Sequence, residues 1–154
     1  MITPKKNCNL CPRLKKYRDK YKILEPDWHN APVESFGKID AKILIVGLAP
    51  GLKGANKTGR PFTGDHAGNL LYTTLIKFKL ANGVYKEIFN DKLKLHNTRI
   101  TNSVRCVPPK NKPDMIEKHN CQKFLESEIK NMYNLKSILA LGSIAHQEIL
   151  KSFK

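Results

Sequence analysis

The chain has 154 residues, of which 40% are hydrophobic, and a formal net charge of +15 from 28 Lys and Arg against 13 Asp and Glu. This length predicts one globular domain with a sizeable core. The absence of any run of about 18 apolar residues excludes a membrane-spanning helix. The start of the chain has no apolar segment of a signal peptide, so we expect a cytoplasmic location. The charge favours a polyanionic partner such as nucleic acid.

The first half of the sequence predicts a helix, a strand and a second helix. Residues 13–22 form a basic stretch that is typical of a short helix. Residues 42–46 contain the apolar run 43–46, which stops at a glycine, and this pattern predicts a buried strand. The segment after Asp65 has apolar residues three and four positions apart, so one stripe of a helix is expected to pack on the sheet. The stripe comprises Ala67, Leu70, Leu71, Leu75 and Phe78.

The second half continues this alternation, after a weak helix or loop that extends to His96. Residues 98–104 are β-branched and alternating, which predicts a strand. Pro113 is expected at the first turn of a helix. The residues of this helix that are expected to face the core are Ile116, Phe124, Leu125 and Ile129. Residues 137–142 predict a third buried strand and residues 143–153 a closing helix. This order predicts a three-layer α/β/α sandwich with a central, mainly parallel sheet.

A glycine-rich stretch at residues 47–65 follows the first predicted strand and contains five glycines and two prolines. Open α/β sheets bind ligands in loops at the carboxyl ends of their strands. Arg60, Phe62 and Asp65 offer such a ligand a cation, a stacking face and a carboxylate.

Part of this stretch, residues 51–58, is one residue away from the phosphate-loop pattern of nucleotide hydrolases. Asn56 replaces the second glycine of that pattern. A phosphate loop also needs a helix that begins at its Lys-Thr pair, so that the helix N-terminus faces the phosphate. Gly59 and Pro61 follow that pair and break such a helix, so we set this interpretation aside.

Four cysteines form a second candidate site. Cys8 and Cys11 make a C-x-x-C pair, and 14 residues separate Cys106 from Cys121. Four thiolates suit a [4Fe–4S] cluster or a structural zinc ion, and the spacing does not separate the two. The alternative is two unrelated pairs of buried thiols.

The glycine-rich stretch and the four cysteines resemble those of the iron–sulfur uracil-DNA glycosylases of families 4 and 5. The resemblance covers nearly the whole chain. Residues 47–65 look like the first motif of family 5, whereas family 4 usually has Glu where this chain has Leu48. Residues 101–109 look like the second motif, and residues 139–146 are similar to a later strand–helix segment. The four cysteines stand where this family places its cluster ligands.

The resemblance implies a monomeric, monofunctional enzyme that hydrolyses the N-glycosidic bond of uracil, and of other deaminated bases, in DNA. Such a base must be flipped out of the duplex into a pocket. Phe62 would stack on the flipped base, and Asn102 would hydrogen-bond its Watson–Crick edge. Asp65 and Asn56 are candidates for positioning the attacking water, although Asp65 is equally suited to cap a helix. The backbone of Gly47, Leu48 and Ala49 would line the pocket.

The chain departs from the family pattern near its end. Family members carry a third motif, with a His, on a later strand and loop. His146 does not match that position. We therefore expect a single domain, residues 1–154, that is incomplete at the C-terminus, lacks one strand and has weak or no activity. A non-catalytic iron–sulfur DNA-binding protein of the same fold is the alternative function.

Overall fold

A computed structural model describes residues 1–64 and 66–153. Its helices are α1 (Pro12–Leu24), α2 (Ala55–Thr58), α3 (His66–Lys77), α4 (Met115–Asn131) and α5 (Ser143–Lys151), with a short 3₁₀ turn at Pro109–Asn111. Its strands are β1 (Ile43–Gly47), β2 (Ala81–Asn82), β3 (Lys94–Leu95), β4 (Thr98–Asn102) and β5 (Ser137–Ala140). No helix in this part of the chain has both the length and the apolar character that crossing a bilayer requires.

The central sheet of the described residues has three parallel strands in the order β4-β1-β5. Ile43 is in register with Thr98 on one side and with Ser137 on the other. Because the strands are parallel and in register, the carboxyl ends of β1 and β4 lie side by side. The predicted α/β fold with a mainly parallel sheet is confirmed.

Alternate residues of β1 face opposite layers of helices, because side chains of a strand alternate between the two faces of a sheet. Leu44 and Val46 pack with Leu125 of α4 and Ile149 of α5. Ile45 faces the other way. Its cluster includes Ile100 of β4 and the α3 residues Tyr72 and Leu75. The sheet is therefore the middle of three layers, with α3 on one side and α4 and α5 on the other.

The prediction for α3 was right about the helix and partly wrong about its buried face. Leu75 is buried, but Leu70 and Phe78 are 64% and 66% exposed, and Ala67 is also exposed. The buried positions are Gly68, Tyr72 and Leu75. Tyr72 determines this orientation because its large ring is fully buried and its hydroxyl donates a hydrogen bond to the Pro61 carbonyl at 2.6 Å.

Three other predictions need correction. The strand at 137–140 is not buried but partly exposed, because it lies at an edge of the sheet, where Leu139 is 50% exposed. Helix α4 begins at Met115 rather than Pro113, since Asp114 caps it in a capping box with Glu117. That start leaves Ile116 62% exposed. The segment before His96 is a loop flanked by the short antiparallel pair β2–β3, so of the two structures expected there the loop is right and the helix is wrong.

Candidate functional site

The candidate site begins where β1 and β4 end together. Gly47 is the register partner of Asn102. Pairing continues beyond them, because the Ser103 amide donates to the Gly47 carbonyl and the Val104 amide donates to the Leu48 carbonyl, both at 2.9 Å. These bonds hold the start of the glycine-rich loop against the residues that follow β4.

Phe62 and Asn102 meet over Gly47. A Cβ added to Gly47 would lie 2.7 Å from Cε2 of Phe62 and 2.6 Å from Oδ1 of Asn102. Real side chains do not approach that closely, so this position requires glycine. The structure thus brings together three residues that the sequence analysis assigned to one pocket.

The backbone of Phe62 is in the left-handed region, with φ of 56°. A bulky residue rarely adopts this conformation, and surrounding contacts must hold it there. The hydroxyl of Tyr85 supplies such contacts: it donates to the Phe62 carbonyl at 3.2 Å and accepts from the Gly64 amide at 3.3 Å. Sequence analysis did not identify Tyr85, which lies outside any motif.

Several polar groups at this site are not used by the fold. Asn102 is 3% exposed, yet its side-chain amide makes no hydrogen bond to any residue that the structure describes. The backbone amides of the half-buried Leu48 and Ala49 likewise donate none within the described residues. Buried polar groups are normally paired, so this arrangement can supply hydrogen bonds to a ligand.

Asn56 lies in α2 and is completely buried. Its Nδ2 donates to Oδ1 of Asn30 at 2.8 Å, and its own Oδ1 has no partner among the described residues. Asn30 in turn donates to the carbonyls of Tyr21 and Glu25. Asn56 therefore ties the glycine-rich loop to the N-terminal segment. The other candidate for positioning water, Asp65, lies outside the described residues.

Arg60 does not face the ligand position, contrary to the role expected from the sequence. Its guanidinium is buried and forms a bidentate pair with Asp91 at 2.7 and 2.8 Å. Three aromatic rings surround it, with centroids 5.1 Å away for Phe36, 4.9 Å for Tyr72 and 5.4 Å for Tyr85. A cation in such a cage is stabilised by the ring faces. Arg60 is therefore a structural anchor of the loop that carries Phe62.

Asp91 is the counter-ion that the sequence did not reveal, because it is 31 residues from Arg60 in a segment without a motif. It also accepts hydrogen bonds from the Lys86 and Leu93 amides, both at 3.0 Å. Burial favours the neutral acid, but the bonds from Arg60 and these amides outweigh it and lower the pKa of Asp91 to about 2. The pair is therefore ionised and links residues 86–93 to the loop.

The four cysteines line one small cavity together with Arg18, Arg105 and apolar residues. Cys11 is the N-cap residue of α1, Cys121 lies in α4, and Cys106 follows β4. All four are free thiols, and burial raises the pKa of Cys106 to about 12 and that of Cys121 to about 11. Within the described residues, no three His, Cys, Asp or Glu side chains are grouped so that they could hold one metal ion.

Comparison with known proteins identifies the family to which this fold belongs. The family model of the uracil DNA glycosylase superfamily matches residues 34–153. The chain therefore belongs to the uracil DNA glycosylase superfamily.

The relatives it matches include two proteins named type-5 uracil-DNA glycosylase. That of Thermus thermophilus is 40% identical over 152 residues, which cover 95% of this chain and 68% of the relative. That of Pyrobaculum aerophilum is 37% identical over 149 residues, or 94% of this chain and 66% of the relative. A type-4 uracil-DNA glycosylase of P. aerophilum is 33% identical, with 95% and 61% covered. The chain thus spans about two thirds of the length of these relatives.

Proposed function

We propose that this chain hydrolyses the N-glycosidic bond between uracil and deoxyribose in DNA, with other deaminated bases as further substrates. The observation that carries the proposal is the meeting of Phe62 and Asn102 over Gly47, with the Asn102 amide unused by the described residues. The names of the type-5 relatives support uracil in DNA as the substrate.

In this proposal the uracil leaves the base stack and enters the space beside Phe62. Unpairing a single base costs a few kcal/mol, which contacts in the pocket must offset. Stacking on an aromatic ring contributes about 1–3 kcal/mol. The carboxamide of Asn102 offers one acceptor and two donors, which match the N3–H and O4 of uracil. Thymine shares this edge, so its 5-methyl group has to be excluded by the shape of the pocket.

Cleavage breaks the bond between N1 of uracil and C1′ of the sugar, and the bonding electron pair leaves with uracil as an anion. A water molecule adds to C1′ and gives up a proton, which in the overall reaction neutralises the uracil anion, so that the products are uracil and an abasic site. We propose Asp65 as the carboxylate that holds this water, with the unpartnered Oδ1 of Asn56 as a second candidate. The free amides of Leu48 and Ala49 would stabilise the negative charge on uracil, as preorganised donors do in an oxyanion hole.

We further propose that Cys8, Cys11, Cys106 and Cys121 hold a [4Fe–4S] cluster. The support for this proposal is that all four thiols line one cavity. Four thiolates suit such a cluster, and a structural zinc ion is the alternative occupant. The cluster when bound would supply a structural cross-link between the N-terminal segment, the end of β4 and α4, since hydrolysis needs no electron.

DNA is the proposed partner. The net charge of +15 supports binding to phosphates. Lys57 of the glycine-rich stretch lies over Trp28, with its Nζ 5.7 Å from the Trp28 ring centroid. We propose that the chain acts as a monomer, and that its compartment is the reducing cytoplasm, where metal-binding thiols persist.

The direct test is cleavage of oligonucleotides by anaerobically purified protein. A strand with one uracil and the same strand with thymine are incubated and then treated with alkali, which breaks abasic sites. Cleavage of the uracil strand alone, lost in Asn102→Ala, is the expected result. Absence of cleavage at uracil, hypoxanthine and xanthine would overturn the proposed activity. Preferential binding of uracil-containing DNA without cleavage would indicate the non-catalytic DNA-binding alternative.

A further inference from the structure

Arg18 is a buried cation that has no counter-ion within residues 1–64 and 66–153. It is 1% exposed and lies in α1, beside the cavity lined by the four cysteines. Its Nη1 and Nη2 donate to the carbonyls of Lys6 and Cys8. Its Nε has no partner, and no carboxylate lies within salt-bridge distance of it among the residues that the structure describes. A buried charge normally has an opposite charge beside it.

Arg105 lines the same cavity and is 3% exposed. Its Nη1 donates to Ser35 and its Nη2 to Glu128, while its Nε has no partner in the described part of the chain. Glu128 also accepts from Arg99 at 2.6 Å, so two arginines share one carboxylate.

The buried charged side chains around the cysteine cavity therefore include more arginines than carboxylates. Arg99 and Arg105 share one buried carboxylate, Glu128, and Arg18 has no carboxylate beside it among the described residues. The other buried carboxylate near Cys11, Glu117, is already paired with Arg13 at 2.7 Å. Among the described residues the surroundings of the cavity thus carry an excess of two positive charges. An anionic occupant would balance it.

We propose that Arg18 is the counter-cation of a metal–thiolate centre held by the four cysteines, and that Arg105 assists it through its free Nε. This inference rests on the proposed cofactor. Four thiolates around a [4Fe–4S] core, or around zinc, carry a net charge of about −2, which matches the excess of positive charge. Charged N–H donors that face ligand sulfurs stabilise thiolates and raise the reduction potential of a cluster.

The competing explanation is that Arg18 only ties the N-terminal segment to α1 through the carbonyls of Lys6 and Cys8. Two variants separate the roles. Arg18→Lys keeps the charge, and Arg18→Gln keeps an amide donor for the carbonyls without the charge. Lys16→Gln is the matched control, because it removes an exposed positive charge from the same helix.

The experiment measures iron, acid-labile sulfide and the reduction potential of each anaerobically purified variant. We expect Arg18→Gln to lower the affinity for the metal by about tenfold and to shift the potential to a more negative value, because the reduced cluster carries more negative charge. Arg18→Lys and Lys16→Gln should stay close to the wild type. If the wild type holds zinc, the rate of zinc transfer to a chelator is measured in place of the reduction potential. We expect this transfer to be faster in Arg18→Gln alone.

Three results would overturn the inference: equal metal content and potential in Arg18→Gln and wild type, failure of both Arg18 variants to fold, or a wild-type chain that binds no metal. Failure of Arg18→Gln alone to fold, with a loaded Arg18→Lys protein, would support it, because charge is then the property required. Uracil excision does not enter these readouts. A protein without glycosylase activity but with the expected potential shift refutes the proposed function and leaves this inference standing.

Discussion

The ring of Phe62 lies over the Cα of Gly47, where a methyl group would come 2.7 Å from Cε2. The same position is in register with Asn102. One glycine at the end of a buried strand therefore makes room for an aromatic ring and an amide side by side. The site depends on this absence of a side chain as much as on the side chains present.

Replacement of Gly47 by Ala should disable the site. The new methyl group has to displace both Phe62 and Asn102, and misplacement of catalytic groups by about 1 Å can reduce rates by about a hundredfold. We expect a loss of that size in single-turnover excision of uracil. Gly142→Ala is the control, because nothing lies within 4 Å of a Cβ at that position. It should reduce stability through its φ of 99° and leave the excision rate unchanged.

Asn102→Asp tests which groups the base contacts. An ionised carboxylate accepts hydrogen bonds but donates none, so it loses the bond to O4 of uracil. We expect excision to fall by about a hundredfold. Stability is measured in Asn102→Ala, which introduces no buried charge. Because the described residues do not use the Asn102 amide, its free energy of unfolding should change by less than about 1 kcal/mol. A large loss of stability with intact excision of uracil would show that Asn102 serves the fold instead.

The buried pair of Arg60 and Asp91 should be sensitive to the loss of one partner. Arg60→Met leaves a buried carboxylate unpaired and is expected to cost about 3–5 kcal/mol in urea unfolding. Adding Asp91→Asn should recover part of this loss, since an amide is neutral and still accepts from the backbone. Lys15→Met is the control: it breaks the partly exposed pair with Asp19, and its expected cost is at most about 1 kcal/mol.

Asp91 should also contribute to acid unfolding. Its pKa is about 2 in the folded chain and about 3.9 in an unfolded one. A depressed pKa stabilises the folded state above the unfolded pKa, and this contribution disappears as the pH falls toward 2. We expect about 2–3 kcal/mol of the loss of stability between pH 5 and pH 2 to come from this group. Asp91→Asn should flatten that part of the curve; an unchanged slope would contradict the assignment.

Lys57 should contact the DNA backbone. It is an exposed residue of the glycine-rich stretch and lies over Trp28, which stacks on Tyr21 with centroids 6.1 Å apart. Lys57→Gln should weaken binding to all sequences and reduce the slope of log affinity against log salt by about 1. Lys130→Gln is the control. Lys130 lies in the last turn of α4, which precedes the amino end of β5, whereas the glycine-rich stretch follows the carboxyl end of β1. Equal effects of both changes would indicate only a loss of net charge.

The sequence predicted the parts of the fold that depend on local pattern. The apolar run before Gly47 and the β-branched residues before Asn102 were enough for two strands. The buried face of α3 was partly wrong because a hydrophobic stripe does not show which residue buries most area, and here Tyr72 does. The partial exposure of β5 could not be predicted either, since it follows from the order of strands in the sheet.

The sequence also predicted only part of the candidate site. Phe62 and Asn102 came from motifs, but their meeting over Gly47 depends on strand register and on the left-handed backbone of Phe62. Arg60 was assigned to the ligand because its partner, Asp91, is distant in sequence and outside any motif. The unpaired charge of Arg18 is visible only in three dimensions, since a basic helix is normally solvated.

Binding of DNA that contains 2′-fluoro-2′-deoxyuridine tests most directly whether this site takes a flipped uracil. The fluorine disfavours the positively charged transition state at C1′, so the base is held without being released. We predict that the wild type binds this DNA at least about tenfold more tightly than the same DNA with the thymine analogue. The preference should be lost in Gly47→Ala and Asn102→Asp. Equal affinity for the two DNAs in the wild type, or a preference that survives both substitutions, would contradict the assignment of the site.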